Sequence, residues 1–373
     1  MPQQSSAAET PPAPRSRAAS RFETDSEAKS AEDSLSATGR SLPDSIDRSQ
    51  PLALVSQLCC LCKSDDADPV GVGEDFEHRS GPDTFLAMRC RTCGVVYLKL
   101  RPAMSELSRI YPPEYHAFNF SEQRFGLVYR IRRRLEAHRL LQWCRGIGPI
   151  ARILDVGCGD GFHLRLLRDF GAPGWELEGV DSSIDAVRAA RAHRLTVHHG
   201  TVQELSLPRA QYDLVLLIMT IEHVNDPVAV LTAIRSLLRP GGRVVVITDN
   251  TATWSFRLAG GRYWGGYHFP RHWYLFERQS LRRLADGVGL EVQDMTTLLT
   301  PLNWLYSIHN ALVDWRAPSW LVNRFTMRSW GALSLFTLFD GLQQLAGRGG
   351  ILQGIFQRPA EPDRAGARNH GPE

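Results

Sequence analysis

The sequence predicts an α/β chain built on a doubly wound, mostly parallel sheet. Three observations carry that expectation. From residue 150 onward, short apolar runs alternate with helical patterns, the signature of parallel strands with helices on both faces. The run "YDLVLLIMT" (212–220) is almost wholly apolar, as a strand covered on both sides must be. A glycine-rich turn in "ILDVGCGDGFHLRLL" (153–167) joins an apolar run ending in an acid to a helix, which puts a ligand site at the carboxyl edge of the sheet.

Taken in order, the pattern predicts strands at 151–156, 176–181, 196–200, 212–220 and 243–249, with helices over 161–170, 183–193 and 227–239. "RPGGR" (239–243) reads as a turn feeding the fifth strand. A helix at 278–287 and strands at 290–298 and 351–358 follow. Residues 301–349 are apolar, Trp-rich and helical in pattern, an insertion before the last strand. Upstream, "GVVYLKL" (94–100) reads as a short strand, and 102–149 as a helical connector interrupted at "YPPEY".

The chain has 373 residues, with 43 Lys+Arg against 40 Asp+Glu and a net charge of +3. That balance gives no ground for a nucleic-acid partner. The basic stretch 124–145 reads as the solvated face of a helix. Residues 1–51 and 359–373 read as tails, rich in small, polar and charged residues that bury too little apolar surface to offset ordering entropy. The first has neither the apolar centre of a secretory signal nor the acid-poor, Arg-rich make-up of a transit peptide. No apolar run reaches the about 18–20 residues of a membrane span. A cytoplasmic location is the expectation.

Seven cysteines occur, and four form the pairs Cys59-x-x-Cys62 and Cys90-x-x-Cys93. Two such knuckles within residues 52–101 predict a small zinc ribbon, four thiolates closing a tetrahedral structural site. Cys60 and His78 are alternate ligands. "MRCRTCGVVYLKLRP" and "YPPEY" resemble the amino-terminal ribbon of many bacterial methyltransferases, a group associated with sugar, polysaccharide and other small-molecule modification.

Residue identity excludes two phosphate-binding readings of the glycine turn. Position 162 is Phe where a dinucleotide fingerprint needs Gly, and no Lys-Ser/Thr pair follows for a P-loop. "LDVGCGDG" instead resembles the first motif of class I S-adenosylmethionine-dependent methyltransferases. "GVDSS" (179–183), "YDLVLLIMTIEHVNDP" and "LLRPGGRVVVIT" resemble later motifs of that family, in order. The resemblance implies a seven-stranded, Rossmann-like methyltransferase fold over 150–358 whose last two strands form an antiparallel hairpin. It implies that Asp155 meets the methionine end of S-adenosylmethionine, that Gly157, Gly159 and Gly161 clear space for it, and that Asp181 holds the ribose. "GTVQEL" puts Thr201 where the family often has an acid, so adenine contact passes to the Val202 backbone or Gln203.

Acceptor chemistry belongs in the loops after the fourth and fifth strands. "TIEHVNDP" supplies Glu222 and His223, and "HFPRHWYLF" supplies His268, Arg271 and His272. Arg271 suits an anionic acceptor, and Trp264, Tyr267 and Tyr274 suit the walls of a pocket. "EHVNDP" resembles the corresponding loop of quinone-ring O-methyltransferases, where acids and a histidine hold a metal or act as base. The expected activity is O-methylation of a small molecule or saccharide. An RNA base methyltransferase, with the ribbon and helix 124–145 as a basic platform, and a non-catalytic cofactor-binding subunit are the rival readings. Segment 301–349 is left between core packing, a dimer contact, and a membrane-peripheral surface for a lipid-linked acceptor.

Overall fold

The computed structural model describes residues 48–111, 122–327 and 329–360. The expected tails fall almost wholly outside these residues, as does most of "YPPEY". The main sheet contains β6 (Ile150–Val156), β7 (Gly174–Asp181), β8 (Thr196–His199), β9 (Tyr212–Ile218), β10 (Leu238–Asp249), β12 (Glu291–Leu298) and β13 (Ile351–Gln357). Their order is β12-β13-β10-β9-β6-β7-β8. All neighbours are parallel except β10–β13 and β12–β13. The expected seven-stranded sheet and its antiparallel hairpin are therefore present. Strand order reverses between β6 and β9, and open sheets of this kind bind ligands outside such a reversal.

Local chemistry explains the helices. In α3 (Phe162–Phe170), Leu164, Leu166 and Leu167 are buried. Ser183 caps α4 (Ile184–Ala192), its hydroxyl accepting from the Ala186 N–H. Asp226 caps α5 (Pro227–Leu237) by accepting from the Val228 and Ala229 N–H groups, with Pro227 in the first turn. Thr253 caps α6 (Trp254–Ala259) by accepting from the Phe256 N–H, and Glu277 and Ser280 form a reciprocal capping box at the start of α7 (Arg278–Gly287). Leu214, Val215, Leu216 and Leu217 of β9 are all fully buried, each contributing about 1.5–3 kcal/mol. "RPGGR" is not a separate turn. It lies within β10 as an irregularity between Leu238 and Arg243, where Gly241 takes φ +76° and a Cβ on Gly242 would stand 2.7 Å from the Tyr212 carbonyl oxygen.

The cysteine segment contributes β1 (Leu54–Ser56), β2 (Ala67–Gly73), β3 (Phe85–Cys90), β4 (Val96–Leu98) and β5 (Leu100–Pro102). The expected strand at 94–100 thus breaks at Lys99 into β4 and β5. The connector holds α1 (Leu107–Ile110) and α2 (Glu122–Trp143). In α2, Arg133 pairs with Asp169 and Arg139 with Glu136.

The ribbon does not stand apart from the catalytic part. Strand β11 (Tyr274–Leu275), from the aromatic stretch after β10, pairs antiparallel with β4 and completes the ribbon's sheet in the order β11-β4-β3-β2. Tyr267 donates its hydroxyl to the Val70 carbonyl (2.9 Å), and Arg101 lies over Trp273, 4.1 Å from its ring. Ribbon residues Phe85, Val96 and Tyr97 share one core with Trp264, Phe269 and Phe276.

This corrects two sequence expectations. Arg271 does not face an acceptor. It is fully buried, and its guanidinium grips both oxygens of Asp75 (3.1 and 2.9 Å) while Nε donates to the Ile110 carbonyl (2.6 Å). Trp264, Tyr267 and Tyr274 are likewise core residues, with their polar tips bonded to Ser255, Val70 and Asn225. The physical reason is common to both: the stretch 264–277 is the seam between two sheets, and buried polar groups there must find internal partners.

Burial alone would push the Asp75 carboxyl up, but the Arg271 guanidinium outweighs it and holds it below the usual carboxylate range. A depressed folded value adds stability above the ordinary pKa of about 4, lost as pH falls through the folded value. Asp75→Asn should therefore cost about 3–5 kcal/mol at neutral pH, because it leaves a buried guanidinium uncompensated. Urea unfolding as a function of pH checks this: the gap between variant and wild type should narrow on acidification.

Candidate active site

The site is built at the carboxyl ends of β6, β7, β9 and β10. Asp155 ends β6 with its side chain buried; Oδ2 accepts no hydrogen bond among the described residues, and His163 Nδ1 stands 3.7 Å away. A buried carboxylate oxygen without a donor is rare enough to need a reason. Asp181 ends β7. Its Oδ2 accepts from the Gly159 N–H (2.9 Å) and its Oδ1 from the Ser183 N–H (2.8 Å). Each oxygen keeps further acceptor capacity for another donor. Burial raises the Asp181 carboxyl, against the pull of those two N–H groups. Gln203 is exposed beyond β8, while Val202 beside it is buried.

The three glycines have different reasons. All take positive φ: Gly157 at +75°, Gly159 at +56°, Gly161 at +77°. A Cβ on Gly157 would meet Thr220 Oγ1 at 2.4 Å, and one on Gly161 would meet Leu195 Cδ1 at 2.2 Å. A Cβ on Gly159 would meet nothing within 4 Å. Gly157 and Gly161 thus make room for the protein's own side chains, and Gly159 is the one that borders open space.

At the neighbouring strand tips, the loops after β9 and β10 bring two predicted candidates, Glu222 and His223, against a third, His272. One ligand atom from each lies within 4.8 Å of the others. The His223 and His272 rings meet edge to face at 4.7 Å. Backbone clamps the loops together: the Trp273 N–H donates to the Glu222 carbonyl (2.8 Å). His272 Nδ1 lies 2.8 Å from the Gly266 carbonyl, and His223 Nδ1 lies 3.1 Å from that of Arg271. A carbonyl can only accept, so each Nδ1 meets its carbonyl as an N–H donor, and a neutral His272 keeps its lone pair on Nε2. Burial, reinforced by the neighbouring histidines, keeps His272 neutral by lowering its pKa far below the ordinary value. The His268 ring lies 5.0 Å from that of His272, tilted by 51°, but its Nδ1 turns to Glu77 (3.1 Å) at the ribbon.

Sequence reasoning missed three members of this cluster. Asp249, at the tip of β10, stands 3.5 Å from His272 Nδ1 and accepts from Asn303 Nδ2 (2.9 Å). Thr248 donates to Glu222 Oε2 (2.9 Å). Tyr111, from the connector, places its hydroxyl 2.9 Å from His223 Nδ1. The acid following "VVVIT" was a readable signal for Asp249; nothing local marks Tyr111. Glu222 is fully buried with Oε1 unbonded among the described residues. Burial, then the nearby Asp249 charge, pushes Glu222 up to about 8; burial pushes Asp249 up to about 7.

At the ribbon, Cys59, Cys62, Cys90 and Cys93 converge, their sulfurs all within 4.8 Å of one another. Cys59–Cys93 is 3.2 Å, Cys62–Cys90 3.4 Å and Cys62–Cys93 3.9 Å. A tetrahedral zinc with bonds of about 2.3 Å separates its sulfurs by about 3.8 Å, so the quartet fits that ion. Hydrogen bonding from the adjacent Cys60 thiol holds Cys59 well below the usual thiol range, while Cys60 itself is driven up. Cys60 is buried beside the quartet but is not one of its four converging thiols. His78 lies beside Glu77, away from the quartet.

The sheet order, the glycine turn and the two strand-tip acids define a Rossmann-like methyltransferase architecture. The chain belongs to the class I S-adenosylmethionine-dependent methyltransferase family. A family model described as a methyltransferase domain matches residues 120–294. A ubiquinone biosynthesis O-methyltransferase of Aromatoleum aromaticum is 33% identical over 173 residues, 43% of this chain and 72% of that protein. One from Cereibacter sphaeroides is 32% identical over 169 residues, 42% of this chain and 67% of that one. Among solved structures, a SAM-dependent methyltransferase from Archaeoglobus fulgidus aligns over 60% of this chain and 94% of its own, at 18% identity and TM-score 0.41. The protein is thus an S-adenosylmethionine-dependent methyltransferase. Among its described residues, no helix is long and apolar enough to cross a membrane.

The glycine loop makes a graded prediction. Gly159→Ala should cost about 1–2 kcal/mol, the strain of a left-handed alanine. Gly157→Ala should cost about 1–3 kcal/mol more, because its Cβ also collides with Thr220. Thermal unfolding of both variants, compared with wild type, measures the difference.

Proposed function

We propose that this enzyme O-methylates a small molecule, and that His223 and His272 are the groups that take the acceptor's proton. The observation carrying this reading is the cluster itself. His223 and the neutral His272 lie against a buried carboxyl group, at the carboxyl edge of the sheet beside the strand-order reversal. The relatives named as ubiquinone O-methyltransferases support hydroxyl oxygen as the methylated atom. A saccharide hydroxyl would meet the same chemical demands.

S-adenosylmethionine supplies an electrophilic methyl group on a positively charged sulfur. In this reading Asp155 binds its amino end, which gives the unbonded Oδ2 a donor, and Asp181 accepts from the ribose hydroxyls. Gly159 gives the open approach, and Gln203, exposed at the rim, reaches the adenine. The acceptor hydroxyl binds against His223, which is less deeply buried than His272 and Glu222. Its oxygen forms the new bond to carbon as the carbon–sulfur bond breaks, and its proton passes to an imidazole Nε2. Near-neutral imidazole suits that task. Glu222, Asp249 and Tyr111 position the rings, and His268 links the cluster to Glu77. The donor set of Glu222, His223 and His272 also suits a divalent cation, which would lower the pKa of a bound hydroxyl. The four ribbon cysteines hold a structural zinc.

Two experiments test the assignment. Asp181→Ala should weaken S-adenosylmethionine binding by about tenfold or more, since a charge-assisted pair of hydrogen bonds is lost. His223→Ala should leave that affinity intact and slow methyl transfer by about 10²-fold or more. Calorimetry and transfer of labelled methyl to a catechol or saccharide panel separate the two effects; unchanged turnover in His223→Ala excludes the imidazole as base. Replacing Cys62 and Cys93 by Ser should remove one zinc per chain, read by metal analysis. A wild-type protein without zinc would contradict the ribbon assignment.

A further inference from the structure

Segment 301–349 lies beyond the residues matched by the methyltransferase family model and contains α8 (Leu302–Asp314), α9 (Ser319–Val322) and α10 (Trp330–Leu345). Helix α10 is inverted in polarity. Its buried side chains are Phe336, Asp340 and Gln343, two of the three polar, whereas its exposed ones include Trp330 (66%), Leu335 (50%), Leu338 (70%), Phe339 (48%), Leu342 (59%) and Leu345 (87%). The spacing 335, 338/339, 342, 345 is a single helical stripe. The helix cannot roll to hide it. Asp340 accepts from the Thr300 N–H (2.7 Å) and from Gln343 Nε2 (2.6 Å), and Gln343 Oε1 accepts from the Trp254 N–H (2.6 Å). These bonds fix the polar side inward. Trp315 and Trp320 are exposed as well.

Contiguous apolar surface of this kind marks a partner, and charge decides which. Between 315 and 349 the one acid is Asp340, which is buried. Asp314, just before, is engaged by Arg262 and Tyr263. Arg316 and Arg324 are exposed, and Arg324 lies over the Trp320 ring at 5.7 Å. A two-fold contact with a second copy would lay this patch on itself, bringing arginines together without an acid to meet them. A bilayer with anionic headgroups offers what the patch lacks: apolar depth for the leucines, an interface for the tryptophans and negative charge for the arginines.

We propose that the outer face of α10, with Trp320, Arg316 and Arg324, docks this enzyme in the plane of an anionic membrane surface. At about 24 Å for its 16 residues, α10 lies along the interface rather than across the bilayer. Docking there is independent of which hydroxyl is methylated.

The test is co-sedimentation of the full chain with vesicles of phosphatidylcholine alone and of phosphatidylcholine mixed with phosphatidylglycerol. Binding to the mixed vesicles is expected. The double variant Leu338→Glu/Leu342→Glu should lose it by about tenfold or more, and Arg316→Glu/Arg324→Glu should lose the preference for the anionic lipid. Affinity for S-adenosylmethionine, measured in parallel, should not change, which shows that the variants fold. Absence of binding to either vesicle overturns the proposal. So does a concentration-dependent dimer, seen by light scattering, that Leu338→Glu/Leu342→Glu dissolves.

Discussion

The buried contact between Arg271 and Asp75 holds the molecule's parts in one arrangement. Asp75 comes from the ribbon, Arg271 from the histidine loop, and the guanidinium Nε bonds Ile110 of the connector. An ion pair without exposure gains little net stability over an apolar substitute, but it tolerates few alternatives in geometry. The backbone carbonyl of Arg271 orients His223, and His272 is the next residue. The ribbon therefore bears on the candidate acceptor cluster without lending it a ligand.

The cofactor side and the acceptor side are organised by different rules. On the cofactor side, backbone geometry dominates: positive-φ glycines, strand tips and N–H groups donating to Asp181. Such a site tolerates little change in sequence, because the constraint is on the main chain. On the candidate acceptor side, side chains from the loop after β9, from β10, the connector and the ribbon meet in a largely buried cluster. Its identity depends on long-range packing, which no single stretch of sequence encodes.

That difference explains what was legible beforehand. Periodicity placed the strands of the main sheet and the helices between them, since the apolar pattern of a two-faced sheet is local and strong. It misread "RPGGR", whose glycines serve a bulge inside a continuing strand rather than a turn before one. It misread Arg271 and the aromatics 264–274, because a basic residue among aromatic rings looks the same in sequence whether it waits for a ligand or closes a seam between two sheets. Glu222, His223 and His272 were legible as residue types in the right loops. Asp249 was marked only by its place after "VVVIT", and Thr248 and Tyr111 not at all, because their part depends on which atoms they face.

The helical insertion ties these themes together. Its inward side sets polar anchors beside the buried Leu305 and Phe336: Asn303 donates to Asp249, and Asp340 and Gln343 hold the backbone around Thr300 and Trp254. Its outward side is apolar. A segment that only filled the core would show the reverse, burying its leucines and wetting its amides. Here the amides are used to anchor the helix to the sheet edge, which leaves the leucines facing out. The same Asn303 that anchors α8 also bonds one of the two buried carboxyl groups beside His272. The outer face of α10 therefore belongs to an insertion whose first helix, α8, is hydrogen-bonded directly to the candidate acceptor cluster.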